Sequence, residues 1–182
     1  TLCIHGHFYQ PPREDPLTGE IRQEKGADPF HDWNEKIFAE CYLPNLEAGN
    51  FSRISFNIGP TLYTWMEQVY PQAVSMMIDA DRQNVAKYGV VNAIAQPYNH
   101  TILPLATPED RETQIAWGIE DFVHRYGRKP QGMWLPETAV DLQTLEIMAD
   151  HGIEFTILAP WQAADEKMNP SVPYRVKLSA NR

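Results

Sequence analysis

Four short segments of the sequence carry histidine, tyrosine, glutamate or tryptophan beside proline, and these side chains are suited to binding and cleaving a sugar. They are residues 5–12 (HGHFYQPP), 96–100 (QPYNH), 134–137 (WLPE) and 160–162 (PWQ). The carboxylate in this set, Glu137, could act as a catalytic group. It could equally be an acidic charge at a helix start, where it favours the helix dipole.

His5 and His7 are two residues apart in an apolar, strand-like run, so both can point to the same side of a strand. Three interpretations stay open: half of a metal site, a pair that hydrogen-bonds a substrate, or a structural pair. A metal site would need an aspartate or a third histidine such as His100. The sequence has no HxxxH or CxxC spacing to support a metal, and no cofactor is predicted.

Other candidates also have two interpretations. Trp134 and Trp161 could form sugar platforms or ordinary packing contacts. The sequence lacks the glycine patterns of phosphate-binding loops, the GxSxG nucleophile elbow and the zinc-protease motif.

The elements that must position these residues alternate between strand and helix. Strands are predicted at residues 2–8, 54–58, 90–95, 132–135 and 153–158. A first helix is predicted to start at Asp32, and Pro44 should kink or end it. Further helices are predicted at residues 61–69, from Pro71 to Gly89, from Thr107 to Gly127, and in the segment that ends at Gly152. This order predicts a parallel sheet covered by helices, either a barrel or an open doubly wound sheet. In both, functional groups belong at the carboxyl ends of the strands, where the four segments fall.

Composition excludes some functions. The 182 residues hold 15 basic and 24 acidic side chains, a net charge of −9, which argues against nucleic-acid binding. There is no signal peptide and no apolar run near 18 residues, so we expect a cytoplasmic protein that does not enter a membrane.

Cys3 and Cys41 are predicted to be buried free thiols. The Thr start and polar end predict a fragment of a longer chain.

Three motifs resemble glycoside hydrolase family 57. Residues 5–12 resemble its opening His-Gln-Pro motif, with extra residues between His7 and Gln10. Residues 98–105 (YNHTILPL) are similar to its Tyr-Tyr-His-Pro-Ile-Leu-Pro segment, and residues 132–140 to its Trp-Leu-Pro-Glu nucleophile motif. Residues 30–35 (FHDWNE) and 54–62 (ISFNIGPTL) point to a branch joined to an uncharacterised C-terminal region.

The resemblance implies an α/β fold, with residues 1–182 forming part of an incomplete seven-stranded (β/α) barrel of parallel strands alternating with helices. It implies retaining chemistry on α-glucans, as a hydrolase or transglycosylase, with Glu137 as nucleophile. The sugar-binding residues would be His5, His7, His100, Tyr98, Trp134 and Trp161, with no metal and no cofactor.

The family's acid/base aspartate belongs to a later motif, beyond residue 182. Asp141, Asp150 and Asp165 are not convincing substitutes, so the chain alone is expected to be inactive. Five predicted strands cannot close a seven-stranded barrel, so an open sheet edge could drive self-association.

Two other functions are compatible with the pattern. A metal-dependent polysaccharide deacetylase on a related barrel would use histidine and aspartate ligands and a metal-bound water. The early strand-end aspartate of such enzymes is absent here, where His5 and His7 stand instead. A sugar-binding module that has lost its chemistry is the non-enzymatic alternative.

Overall fold

The computed structural model describes residues 2–164 and 168–179, and Asp165 lies outside this range. Within it, the chain divides into two compact units, residues 1–93 and 94–182.

The first unit is built on a parallel pair of strands, β1 (His5–Phe8) and β2 (Ser55–Ile58). Their register sets His5 opposite Ser55 and His7 opposite Asn57. Phe56 extends the sheet by an isolated parallel bridge to Ala93. Side chains two residues apart on one strand point to the same face of the sheet, so His5, His7, Ser55 and Asn57 share one face.

Helices surround this sheet, and their ends follow local sequence signals. They are α1 (Trp33–Ile37), α2 (Leu43–Glu47), α3 (Pro60–Val69) and α4 (Pro71–Tyr88). Asp32 caps α1 by accepting hydrogen bonds from the backbone N–H groups of residues 34 and 35. Gly89 ends α4 with a φ of 67°, a conformation that costs glycine little.

The predicted break at Pro44 is a change of helical type. The π-helical turn Phe38–Tyr42 joins α1 to α2, and Pro44 lies in the first turn of α2. Proline lacks the N–H that an interior helical position requires, and a first-turn position does not need it. The helical path therefore continues past Pro44 as far as Glu47.

The core of this unit is aromatic. The ring of Phe8, at the end of β1, lies 5.0 Å from that of Phe51 and 5.5 Å from that of Tyr42. Phe51 also packs edge-on against Phe56 of β2. This cluster fixes the carboxyl end of β1, from which the first sequence motif continues.

The second unit contains the 19-residue helix α5 (Pro108–Tyr126), the shorter helix α6 (Leu142–Asp150) and short extended segments. Ala95 pairs with Met133, and Gly132 pairs with Phe155, each as an isolated parallel bridge. The backbone N–H groups of Ala95 and Met133 donate to Gly132 and Phe155 at 2.9 and 3.1 Å.

The prediction of five strands was only partly right. The described residues form two strands, and the segments predicted at 90–95, 132–135 and 153–158 pair through single bridges. The segments are parallel and in the predicted order, but each pairing is too short to form a regular ladder. At one of these bridges, an added Cβ on Gly132 would strike the ring of Phe155, so glycine lets the two segments approach closely where they pair.

Short 3₁₀ helices complete the chain. They are Lys25–Ala27, Asn50–Ser52, Leu103–Leu105, Pro136–Thr138 and Pro160–Gln162. Cys3 and Cys41 are exposed free thiols, so the prediction that they are buried was wrong. Among the described residues, no helix combines the length and apolar character needed to cross a membrane.

Candidate active site

In the first unit, Asn57 joins the two histidines of β1. Its Oδ1 lies 3.0 Å from Nε2 of His5, and its Nδ2 lies 3.0 Å from Nδ1 of His7. Nδ1 of His5 lies 2.7 Å from the hydroxyl of Ser55. The strand register produces this cluster, because His5 and His7 stand opposite Ser55 and Asn57.

The amide of Asn57 contacts both histidines. Its Oδ1 can accept from Nε2–H of His5, and Nδ1 of His5 then accepts from the Ser55 hydroxyl. Nδ1 of His7 lies 3.0 Å from Nδ2 and 3.3 Å from Oδ1 of Asn57, so Asn57 offers this nitrogen a partner in either tautomer of His7. Burial lowers the pKa of His5 below 6.5, and the hydrogen bond to Asn57 offsets only part of this effect. A neutral His5 follows.

Arg13 organises the loop that follows β1. Its guanidinium donates to Gln10 at 3.0 Å, to Glu24 at 2.8 Å and to Asn34 at 3.0 Å. Gln10 also donates to the hydroxyl of Tyr42, whose pKa burial raises to about 12. The glutamine of the first motif is therefore fixed by a charged network.

In the second unit, His100 and Glu137 form a pair. Nε2 of His100 lies 3.3 Å from Oε1 of Glu137, with the imidazole side chain only 7% exposed and the glutamate side chain 72% exposed. Burial lowers the pKa of His100, and the hydrogen bond and charge of Glu137 offset only part of it. A carboxylate can only accept, so Nε2 of His100 carries the hydrogen.

The backbone at this pair is strained. His100, Glu137 and Thr138 have φ values of 55°, 54° and 54°, and they are the only non-glycine residues with positive φ in the described part of the chain. Left-handed backbone is uncommon outside glycine, and unfavourable for a β-branched residue such as Thr138. Such strain persists where surrounding contacts enforce it and is concentrated at functional sites.

Two overlapping turns hold Glu137 in this conformation. Thr138 N–H donates to the carbonyl of Leu135 at 2.9 Å, and Ala139 N–H donates to that of Pro136 at 3.0 Å. Pro136 suits the second position of the first turn because its φ is fixed. The side chain of Gln162 donates to the carbonyl of Thr138, so the fourth motif braces the third.

The loop that carries His100 is attached to α5. The backbone N–H groups of Tyr98 and Asn99 donate to the carbonyl and the side-chain oxygen of Gln114, at 3.1 and 2.7 Å. The ring of Tyr98 packs against Trp117 of α5, with ring centroids 5.9 Å apart.

The remaining predicted site residues differ in exposure. Trp134 is half-buried, and its backbone N–H donates to the carbonyl of Ala95. Trp161 is 84% exposed and is available as a platform.

Sequence reasoning missed three organising residues: Asn57, Arg13 and Gln162. A signal for Asn57 existed, because Ser55 and Asn57 alternate on β2 as His5 and His7 do on β1. Only the strand register reveals that the two alternations meet.

Asp141 has a structural role. Both of its carboxylate oxygens accept from Arg111, at 2.9 and 3.0 Å, and one also accepts from the backbone N–H of Thr144 as the cap of α6. Among the described residues, no three histidine, cysteine or acidic side chains are grouped so that they could hold a metal ion.

Comparison with known proteins agrees with these motifs. The Glycosyl hydrolase family 57 model matches residues 10–180, and the chain belongs to this family. It is 24% identical over 117 residues to an alpha-amylase of Pyrococcus horikoshii, covering 64% of this chain and 18% of that protein.

Two solved structures share the fold. The 4-alpha-glucanotransferase of Thermococcus litoralis superposes with a TM-score of 0.63 at 18% identity, over 87% of this chain and 22% of that one. The alpha-amylase AmyC of Thermotoga maritima gives 0.61 at 17% identity, over 90% and 41%. The chain spans about a fifth of the length of the Pyrococcus horikoshii alpha-amylase.

Proposed function

We propose that this chain carries the nucleophile of a retaining enzyme that hydrolyses or transfers α-glucans, and that Glu137 is that nucleophile. The observation that carries the proposal is the contact between Glu137 and His100 on strained backbone, within the Trp-Leu-Pro-Glu motif of a family 57 chain. The named activities of the relatives, alpha-amylase and 4-alpha-glucanotransferase, support the substrate class.

In the proposed reaction, a carboxylate oxygen of Glu137 attacks the anomeric carbon of a glucose unit. The new C–O bond forms as the bond to the glycosidic oxygen breaks, and the acid/base carboxyl group gives that oxygen its proton. Water or an acceptor sugar, deprotonated by the same group, then displaces Glu137. The two carboxyl groups of such a pair are about 5–5.5 Å apart. The family resemblance assigns the second group to an aspartate outside this sequence.

Two of the other predicted residues, His7 and Trp161, would bind sugar. The imidazole of His7 would hydrogen-bond a sugar hydroxyl, and neutral His5 preserves the arrangement around Asn57 that orients that ring. The exposed ring of Trp161 offers an apolar face to a sugar ring.

The stereochemistry of the first product tests the proposal. The full-length protein would be incubated with maltohexaose and followed by proton NMR before the product anomers equilibrate. Retention predicts that the α-anomer appears first. Early accumulation of the β-anomer would exclude a glycosyl-enzyme at Glu137, because a single displacement inverts the centre.

The two other functions make different predictions. A deacetylase would release acetate from acetylated polysaccharide and depend on a bound metal. A non-catalytic module would bind maltohexaose without turnover. A cytoplasmic location and self-association through an open sheet edge also stay predictions, the latter testable by sedimentation at several protein concentrations.

A further inference from the structure

An open cleft lies on the surface of the second unit, formed by one face of α5 and the loop before His100. Its volume is about 380 Å³, and it is lined by Tyr98, Trp117, Glu120, Asp121 and His124. The four residues from α5 follow the spacing of a single helical face. The cleft is shallow and open to solvent, so a ligand would lie along the helix face and keep one side in water.

Two aromatic rings form the apolar walls. Tyr98 and Trp117 meet at 84°, and Trp117 is 54% exposed although it lies mid-helix. An exposed indole held by a second ring is a preorganised flat surface, because little side-chain freedom remains to be lost on binding. Flat aromatic faces cover the C–H face of a ring ligand and leave its polar edge to other groups.

The polar groups select a neutral, hydroxyl-rich ligand. Glu120 and His124 are exposed at the rim, and carboxylate oxygens accept hydrogen bonds from hydroxyl groups. Asp121 binds Arg125 with both oxygens, at 3.1 and 3.0 Å, so this arginine is already paired. The acidic lining repels phosphate and nucleic acid, and the chain's net charge of −9 adds to that repulsion.

We propose that the Tyr98–Trp117 cleft is a glucan-binding site in its own right, which holds a stretch of substrate other than the glucose unit attacked by Glu137. The identity of the sugar rests on the proposed function. Tyr98 is predicted from the sequence to bind substrate, and its packing on Trp117 supports a contact with substrate at this cleft. Tyr98 and His100 lie on one loop that is hydrogen-bonded to Gln114. Tyr98 of the cleft is therefore two positions along the chain from His100, which contacts Glu137.

Calorimetric titration with maltohexaose tests the proposal, on full-length protein carrying Glu137→Gln so that the ligand is not consumed. We expect Trp117→Ala, added to this background, to remove one binding event or weaken binding by about tenfold or more, as for truncation of a central aromatic contact. Trp117→Phe keeps a flat ring and should retain most of the affinity. Tyr88→Ala removes an equally exposed ring at the end of α4 and should change nothing.

Unchanged stoichiometry and affinity in Trp117→Ala would overturn the proposal. A folded state of Trp117→Ala that matches the parent by circular dichroism excludes a general loss of structure. Failure of the proposed function is a separate result, because it would appear as normal turnover by Glu137→Gln and leave the effect of Trp117→Ala in place.

Discussion

Nε2 of His100 lies 3.3 Å from Oε1 of Glu137, and both residues have left-handed backbone with φ values of 55° and 54°. Each such conformation costs on the order of 1–3 kcal/mol unless local turns compensate. Because the side chains of these two strained residues contact each other, we infer that the fold constrains the position of the Glu137 carboxylate. The buried imidazole can donate to one carboxylate oxygen and leave the other to react.

The first prediction assigns His100 a positioning role. In the full-length protein, His100→Ala removes the donor that orients Glu137. We expect kcat on maltohexaose to fall by about 10–100-fold, because a misplaced nucleophile loses near-attack geometry. KM should change little. His100→Gln retains an N–H donor at a similar reach and should restore part of kcat.

If His100 instead contacted the sugar, His100→Ala would raise KM and leave kcat unchanged. Thermal unfolding of both variants is the control, because the left-handed backbone at residue 100 also affects stability.

The second prediction concerns Glu137. Glu137→Gln keeps the size of the side chain but removes the attacking charge, so kcat on α-glucan should fall by several orders of magnitude with little change in binding. In Glu137→Ala, azide should partly restore turnover by entering the vacated space and forming a glycosyl azide. Product analysis by mass spectrometry detects that adduct.

A purely structural Glu137 would behave differently. Its loss would lower stability by about 0.3–1 kcal/mol, as for a charge near a helix start, and leave the rate nearly intact. Glu109→Gln is a matched control, because Glu109 lies in the first turn of α5.

The third prediction is a loss of stability in mild acid. Burial lowers the folded-state pKa of His5 and His100 below the ordinary 6.5, so below pH 6.5 the unfolded chain binds more protons than the folded one. The unfolding free energy should therefore fall as pH drops through and below 6.5, towards the folded pKa values.

Urea unfolding at about pH 7.5 and pH 5.5 measures this difference. His5→Gln and His100→Gln should each reduce it. An unchanged difference in both buried-site variants would assign the acid sensitivity to other groups.

Helix boundaries were largely predictable from the sequence. Asp32, Thr107 and Asp141 cap helices through side-chain bonds to backbone N–H groups, and Gly89 and Gly127 end helices with left-handed backbone. These signals act within four residues of chain, so no tertiary information is needed.

The candidate site residues of each unit were less predictable because their contacts depend on long-range pairing. The residue types at 5 and 7, and at 100 and 137, indicated function, but the role of Asn57 required the register of β1 against β2. The left-handed backbone of His100 is set by a loop attached to Gln114 of α5.

The last prediction tests the close approach of α5 to the segment before Tyr98. A Cβ on Gly118 would strike the carbonyl oxygen of Gln96 and lie 3.1 Å from Cα of Pro97, both rigid backbone atoms. In an unhindered helix interior, glycine to alanine stabilises by about 1 kcal/mol. Here overpacking costs about 1–3 kcal/mol, so Gly118→Ala should destabilise the protein.

Ala116→Gly, two residues away, measures the propensity effect alone. Urea unfolding gives both values, and kcat should fall in Gly118→Ala because the displaced backbone leads directly to His100. A stabilised Gly118→Ala variant with normal kcat would show that this approach does not position the loop.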